Sequence, residues 1–227
     1  MRYRPVLVWD GVIRACHWLM AGAALVLLAL GALLWADEAL GLKKHAHEAL
    51  ANAHAMTGFV FAAALFVRIA YLFASSEGPG SLKDLVPTTE ARRREAKATL
   101  AYYLSGFRGA PPVYFAHNAL AGIVYAAFFL IATVQALSGA SIYLLAPERG
   151  AAYAHEAHAQ GAGWPPAWLE ELHEIGAVLI LLYILAHWTM IAVHELKESR
   201  GLASSMISGR KFFTDEELAT LDKEGRR

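Results

Sequence analysis

The stretch LHEIGAVLILLYILAHWTM, residues 172–190, carries His173 and His187 fourteen positions apart in an otherwise greasy segment. At 1.5 Å and about 100° per residue, fourteen helical residues advance roughly 21 Å and return to within about 40° of the starting face. The two imidazoles therefore share one side of a helix at two depths. His17 and His54 open two other apolar stretches. Neutral imidazole is a common metal ligand. Each of these histidines taken alone is equally explained as an interhelical hydrogen-bonding residue; whether they act as a set depends on the elements that carry them.

Those elements belong to a membrane protein. The chain has 227 residues, 57% hydrophobic and 18% charged, with mean hydropathy +0.37, against roughly half apolar and a quarter charged in soluble domains. About 20 helical residues cross the hydrocarbon core, and four stretches are long enough, at about 15–36, 53–73, 113–138 and 175–193. Among Asp, Glu, Lys and Arg only Arg68 falls inside them, near an end where it is expected to snorkel. The expected fold is an all-α membrane protein, a four-transmembrane-helix bundle forming one domain over 1–227. The first span lacks a small-residue cleavage signature and reads as retained. Equal numbers of acidic and basic residues, 20 of each, give no hint of nucleic acid. The single cysteine, Cys16, excludes an internal disulfide, and no C-x-x-C-H site for covalent haem is present.

Basic residues set the orientation. Sixteen of the 20 lie in the N-terminal segment, the 74–112 loop and the tail after His194, against Lys43, Lys44 and Arg149 in the other two loops. Both termini, including the tail 197–227, are thus expected in the cytoplasm. The middle loop contains TEARRREAKATLAYYLSG, expected to form a surface helix before Pro111 and Pro112. Thr214 and Glu217 fit a capping box. Trp164 and Trp168 suit a membrane interface.

With this topology His54 and His173 fall at the outer level, and His17 and His187 at the inner. Two facing imidazoles at each level match the ligation of two haem irons inside a four-helix bundle. Gly22, Gly58, Gly122 and Gly176 either admit planar porphyrins or serve ordinary helix packing. His117 and Asn118 open the third span near the inner level, where they fit either a helix cap or hydrogen bonds to a quinone carbonyl. His45, His47, His155 and His158 lie in outer loops as solvated surface, partner contact or a metal site, and His194 is expected at the lipid headgroups.

Four segments carry a family resemblance: VWDGVIRACHW at 8–18, NAHAMTGFVFAAALFVRIAY at 52–71, YFAHNALAG at 114–122 and LHEIGAVLILLYILAH at 172–187, with the tail motif SSMISGRKFF at 204–213. They resemble the b-type cytochrome subunit of membrane-bound Ni/Fe-hydrogenases, within the small four-helix bacterial di-haem cytochromes b. The resemblance implies that His17, His54, His173 and His187 ligate two haem b groups. It implies electron exchange between a catalytic partner outside the membrane and the quinone pool. Formate dehydrogenase cytochrome subunits have a comparable design, with quinone near the cytoplasmic haem and an asparagine opening the third helix, a place similar to that of Asn118. The loop HEAHAQGAGWPPAW is not matched.

The leading expectation is an electron conduit between a periplasmic redox protein, hydrogenase-like or a c-type cytochrome, and quinone, with little substrate chemistry of its own. The spans hold no nucleophile, carboxylate pair or phosphate loop. One alternative is a stand-alone haem oxidoreductase acting on a small oxidant such as superoxide. A metal-ion transporter is another; it requires ligands converging at one depth and carboxylates along a path.

Overall fold

A computed structural model describes residues 3–75, 78–145, 166–198 and 201–223. Four long helices dominate: α1 (Gly11–Trp35), α3 (Lys44–Ala74), α6 (Ala119–Leu145) and α7 (Ala167–Glu198). All four are long and apolar enough to cross a membrane. No more than 28% of any apolar window is buried within the protein, so side chains such as Phe66, Leu130 and Leu182 present an outward surface suited to hydrocarbon. Short helices fill the connections: α2 (Asp37–Leu40), α4 (Leu82–Leu85), α5 (Glu90–Leu104), α8 (Leu202–Ser208) and α9 (Asp215–Lys223).

The helices outrun the apolar stretches because helix length is set by caps and propensity rather than by hydropathy. α1 begins where Asp10 accepts a hydrogen bond from the Ile13 N–H, 2.9 Å. α3 starts nine residues before the expected 53 because the alanine-rich KHAHEALAN favours helix. α7 starts after Pro165 and Pro166 and runs through Glu170, Glu171 and Glu174, so His173 sits within a helix rather than at its start. The third span is displaced from 113–138 to 119–145: residues 111–118 leave the helix, and Asn118 caps it.

The chain divides into two compact units. The first comprises residues 1–17, 67–129 and 184–227. Here β1 (Tyr3–Leu7) and β2 (Arg210–Thr214) form an antiparallel ribbon in register Tyr3↔Thr214 to Leu7↔Arg210. This small departure from an all-helical chain tolerates Pro5 because a two-stranded ribbon leaves one edge of each strand unpaired. Lys211 and Phe213 point inward, and Phe213 joins Val8, Trp9, Ile13, Ala116, Leu218 and Leu221 in a core. Gly209 connects α8 to β2 at φ 79°, and its carbonyl accepts from the Val8 and Trp9 amides at 2.8 and 3.0 Å. A Cβ there would fall 2.6 Å from the Trp9 carbonyl oxygen, a contact only glycine avoids. The surface helix expected in the middle loop is α5, capped by Thr89, and the capping box is formed by Thr214 and Glu217, whose side chains bond each other's amides.

Buried polar groups of the first unit are bonded in sets. Lys211, wholly buried, donates to the Phe115 and Ala116 carbonyls at 2.9 and 3.0 Å and lies over the Tyr114 ring. Glu95 accepts from the Ala119 amide, 2.9 Å, and pairs with Arg92, 3.0 Å. Glu95 and Asn118 together satisfy amides at the start of α6 that the helix itself leaves without partners.

The second unit comprises residues 18–66 and 130–183. It holds the remaining lengths of the four long helices. Phe59 meets Tyr143 edge-on at 5.4 Å, and Ala132 is completely buried. At the start of α3, His47 bonds Asp37 at 2.7 Å while His45 is exposed near Glu48.

Candidate haem sites

The four span histidines form two pairs, one inside each unit. In the second unit the rings of His54 (α3) and His173 (α7) have centroids 6.1 Å apart. In the first, His17 (α1) and His187 (α7) have centroids 6.4 Å apart. An imidazole nitrogen lies about 2.0–2.1 Å from a first-row metal ion and about 1.1 Å from its own ring centroid, so two imidazoles sharing one ion have centroids roughly 6.3 Å apart. Both pairs thus have the spacing that ligation of one iron from two sides demands.

Tautomers point the same way in the second unit. Ser138 donates its hydroxyl hydrogen to the Gln135 carbonyl, 3.0 Å, so toward His173 Nδ1, 2.9 Å away, it acts as acceptor. With its hydroxyl hydrogen on the Gln135 carbonyl, Ser138 suits the tautomer that carries the proton on Nδ1 and keeps a lone pair on Nε2, the form a metal requires. The Gln135 amide nitrogen lies 3.2 Å from that Nε2, a contact that a metal ion would take over. His54 Nδ1 is buried and makes no hydrogen bond among the described residues.

Glycines give room where the imidazoles meet neighbouring helices, though not at the expected positions. A Cβ on Gly139 would lie 2.7 Å from His173 Cε1, and one on Gly31 would lie 3.4 Å from His54 Cε1. Neither glycine was anticipated; the signal available was their offset from a histidine on a facing helix, which needs the packing to be known. Of the four expected glycines, Gly122 lies against the Leu85 and Asp84 backbone and Gly176 against the Gln135 side chain. Both serve packing between protein groups. A Cβ on Gly58 would make ordinary contact with Leu27, 3.9 Å, and one on Gly22 would meet nothing within 4 Å.

His117 and Asn118 are built into a polar cluster of the first unit. The Asn118 side-chain oxygen accepts from the Ala121 amide, 2.7 Å, and its nitrogen donates to the Tyr103 hydroxyl, 3.2 Å. The helix-cap reading of Asn118 is thus realised. His117 Nδ1 bonds Asp84 at 2.7 Å, and its ring lies 4.6 Å from Trp9 and 4.7 Å from Tyr125. Tyr125 in turn meets His187 edge-on at 6.1 Å. Burial pushes the Asp84 carboxyl up, but the His117 imidazole, the Gly80 amide and the Arg92 guanidinium outweigh it and hold the group below its usual range. Arg92 ties this cluster together, reaching Asp84, Glu95 and the His117 carbonyl. Asp84, Arg92 and Glu95 escaped the sequence reading because they are ordinary surface-type residues of a charged loop.

Two expectations are corrected. His194 does not lie on the surface; it is buried, with Nε2 2.9 Å from the Tyr103 hydroxyl and its ring beside Phe107. Arg68 does not snorkel: it is 4% exposed, turned inward to the Gly80 carbonyl and the Phe129 ring. Trp168 is exposed. His155, His158 and Trp164 lie outside the described residues. Among the described residues no group of three or more His, Cys, Asp or Glu converges to hold an ion, so nothing there favours the transporter reading.

The family described as prokaryotic cytochrome b561 matches residues 8–209. A relative from Bradyrhizobium diazoefficiens, described as a probable Ni/Fe-hydrogenase B-type cytochrome subunit, is 24% identical over 225 residues, covering 93% of this chain and 88% of the relative. No solved structure matches significantly.

Proposed function

This chain belongs to the prokaryotic cytochrome b561 family, and we propose that it carries electrons across the bacterial inner membrane between a periplasmic redox partner and quinone. Membership makes it a multi-pass b-type cytochrome of electron transfer. Beyond that, our reading assigns two haem b groups, an outer one held by His54 and His173 and an inner one held by His17 and His187. The observation that carries it is the spacing of the two imidazole pairs, 6.1 and 6.4 Å. Both termini and the first unit face the cytoplasm in this reading, following the basic residues.

The haems, when bound, supply one-electron couples. The chain's own residues fix where those couples sit and how they are tuned. α7 supplies one imidazole to each pair. Ser138 holds the His173 ring in the ligating tautomer and raises its basicity. Apolar side chains of the four spans keep water and ions from the path while leaving it open to electrons.

Quinone, in this reading, binds beside the inner pair at His117, with Asn118 holding the start of α6 in place. Quinone takes two electrons and two protons to become quinol, so its site needs a proton source. The Asp84–His117 pair offers one on the charged side of the spans. The periplasmic partner is hydrogenase-like or a c-type cytochrome; it would dock on the second unit, where His45 is exposed.

The test is ligand deletion in membranes. His187→Ala should remove one haem and abolish reduction of the protein by quinol, while a second b haem stays reducible through the periplasmic side. Loss of the outer haem alone would overturn the pairing.

A further inference from the structure

Arg68 is the charged residue that a haem-carrying bundle leaves unexplained. The residue is 4% exposed within α3. Guanidinium stays ionised and offers five N–H donors, yet one hydrogen bond serves it, from Nη1 to the Gly80 carbonyl at 3.2 Å. Phe129 lies beneath it, 5.4 Å from ring centre to guanidinium carbon. Among the described residues no carboxylate stands within ion-pair distance of it. Asp10 and Asp84 act on it only from farther away, and both are committed. Asp10 accepts from the Ile13 amide and the Tyr71 hydroxyl; Asp84 accepts from Gly80 and Arg92 and bonds His117. A buried cation so sparsely bonded inside a membrane span is costly unless an anion completes it.

The position of Arg68 says which anion. Gly80, whose carbonyl it bonds, is packed against Ile13, one helical turn before His17 on α1. Phe129, on which it rests, stands one helical turn beyond Tyr125, whose ring meets His187. Arg68 thus touches groups that lie one helical turn from His17 and from Tyr125, the ring that meets His187. Haem b carries two propionate carboxylates, and guanidinium pairs with carboxylate through two parallel hydrogen bonds. We infer that Arg68 is the anchor for a propionate of the haem held by His17 and His187, an inference that rests on the haem assignment proposed above. Arg68 then acts as a positioning residue with an electrostatic consequence. A fixed positive charge near the iron favours the reduced state, so Arg68 raises the potential of this haem relative to the other.

The experiment is a potentiometric titration of the full-length protein in three forms, wild type, Arg68→Gln and Arg68→Lys. Arg68→Gln should shift one of the two haem potentials to a more negative value and leave the other in place; Arg68→Lys should restore most of the shift. Native chain reconstituted with haem dimethyl ester supplies a second arm that needs no variant to fold. Esterification should speed release of that same haem from the wild type, and should add little to its release from Arg68→Gln, where the guanidinium–carboxylate pair is already broken. Unchanged potentials in Arg68→Gln would overturn the inference, as would equal movement of both haems. Esterification that speeds release of that haem equally from wild type and from Arg68→Gln would also overturn it. Failure of the underlying haem assignment looks different: His187→Ala would then retain both haems.

Discussion

Ser138 Oγ lies 2.9 Å from Nδ1 of His173 and passes its own hydrogen to the Gln135 carbonyl. One hydroxyl thereby decides which nitrogen of the imidazole is left for a metal. Ser138→Ala should weaken haem binding at the His54–His173 pair by about tenfold or more, the usual cost of losing the partner behind a ligating histidine. The His17–His187 pair should keep its haem. Haem-release kinetics to an acceptor apoprotein, followed for each spectral component, measure both.

Gly139 makes a sharper steric demand. A methyl group there would sit 2.7 Å from His173 Cε1, and the ring is held at Ser138 and Gln135, so it has little freedom to yield. Gly139→Ala should displace His173 and cost the chain one haem. Gly31→Ala, whose added carbon would make an ordinary 3.4 Å contact with His54, should retain both. Haem per chain in the two purified variants checks the contrast.

Asp84 sets the acid limit of the first unit. Its carboxyl titrates below the ordinary 3.8 once the chain is folded, so it contributes stability that is fully present above the unfolded value. That contribution disappears as pH falls through the lower folded value. The advantage of wild type over Asp84→Asn should therefore be constant from pH 7 to about 5 and shrink below about 4. Thermal unfolding in detergent, followed by circular dichroism across that range, gives the curve. An advantage that grows toward acid would contradict the assignment.

How much of this was legible beforehand follows from what each signal depends on. The four spans and the two histidine pairs were readable because hydropathy and helical periodicity are local, and because depth in a membrane sorts residues along one axis. Gly31 and Gly139 were not readable, since their role depends on which helix faces which. Arg68 was misread for a related reason: a span-end arginine can turn to the headgroups or inward, and only the packing of Gly80 and Phe129 decides. The 3–7 and 210–214 ribbon was missed because its strands are five residues each and lie more than 200 positions apart. The shift of the third span came from taking hydropathy as the start signal where Asn118 and Glu95 supply the cap.

The central claim is that two imidazole pairs each hold one haem. Purified full-length chain, assayed by pyridine haemochrome and by electron paramagnetic resonance of the oxidised state, tests it most directly. The account predicts two b haems per chain, both low-spin with two nitrogen ligands. One haem per chain, or a high-spin iron with a single histidine, would contradict it.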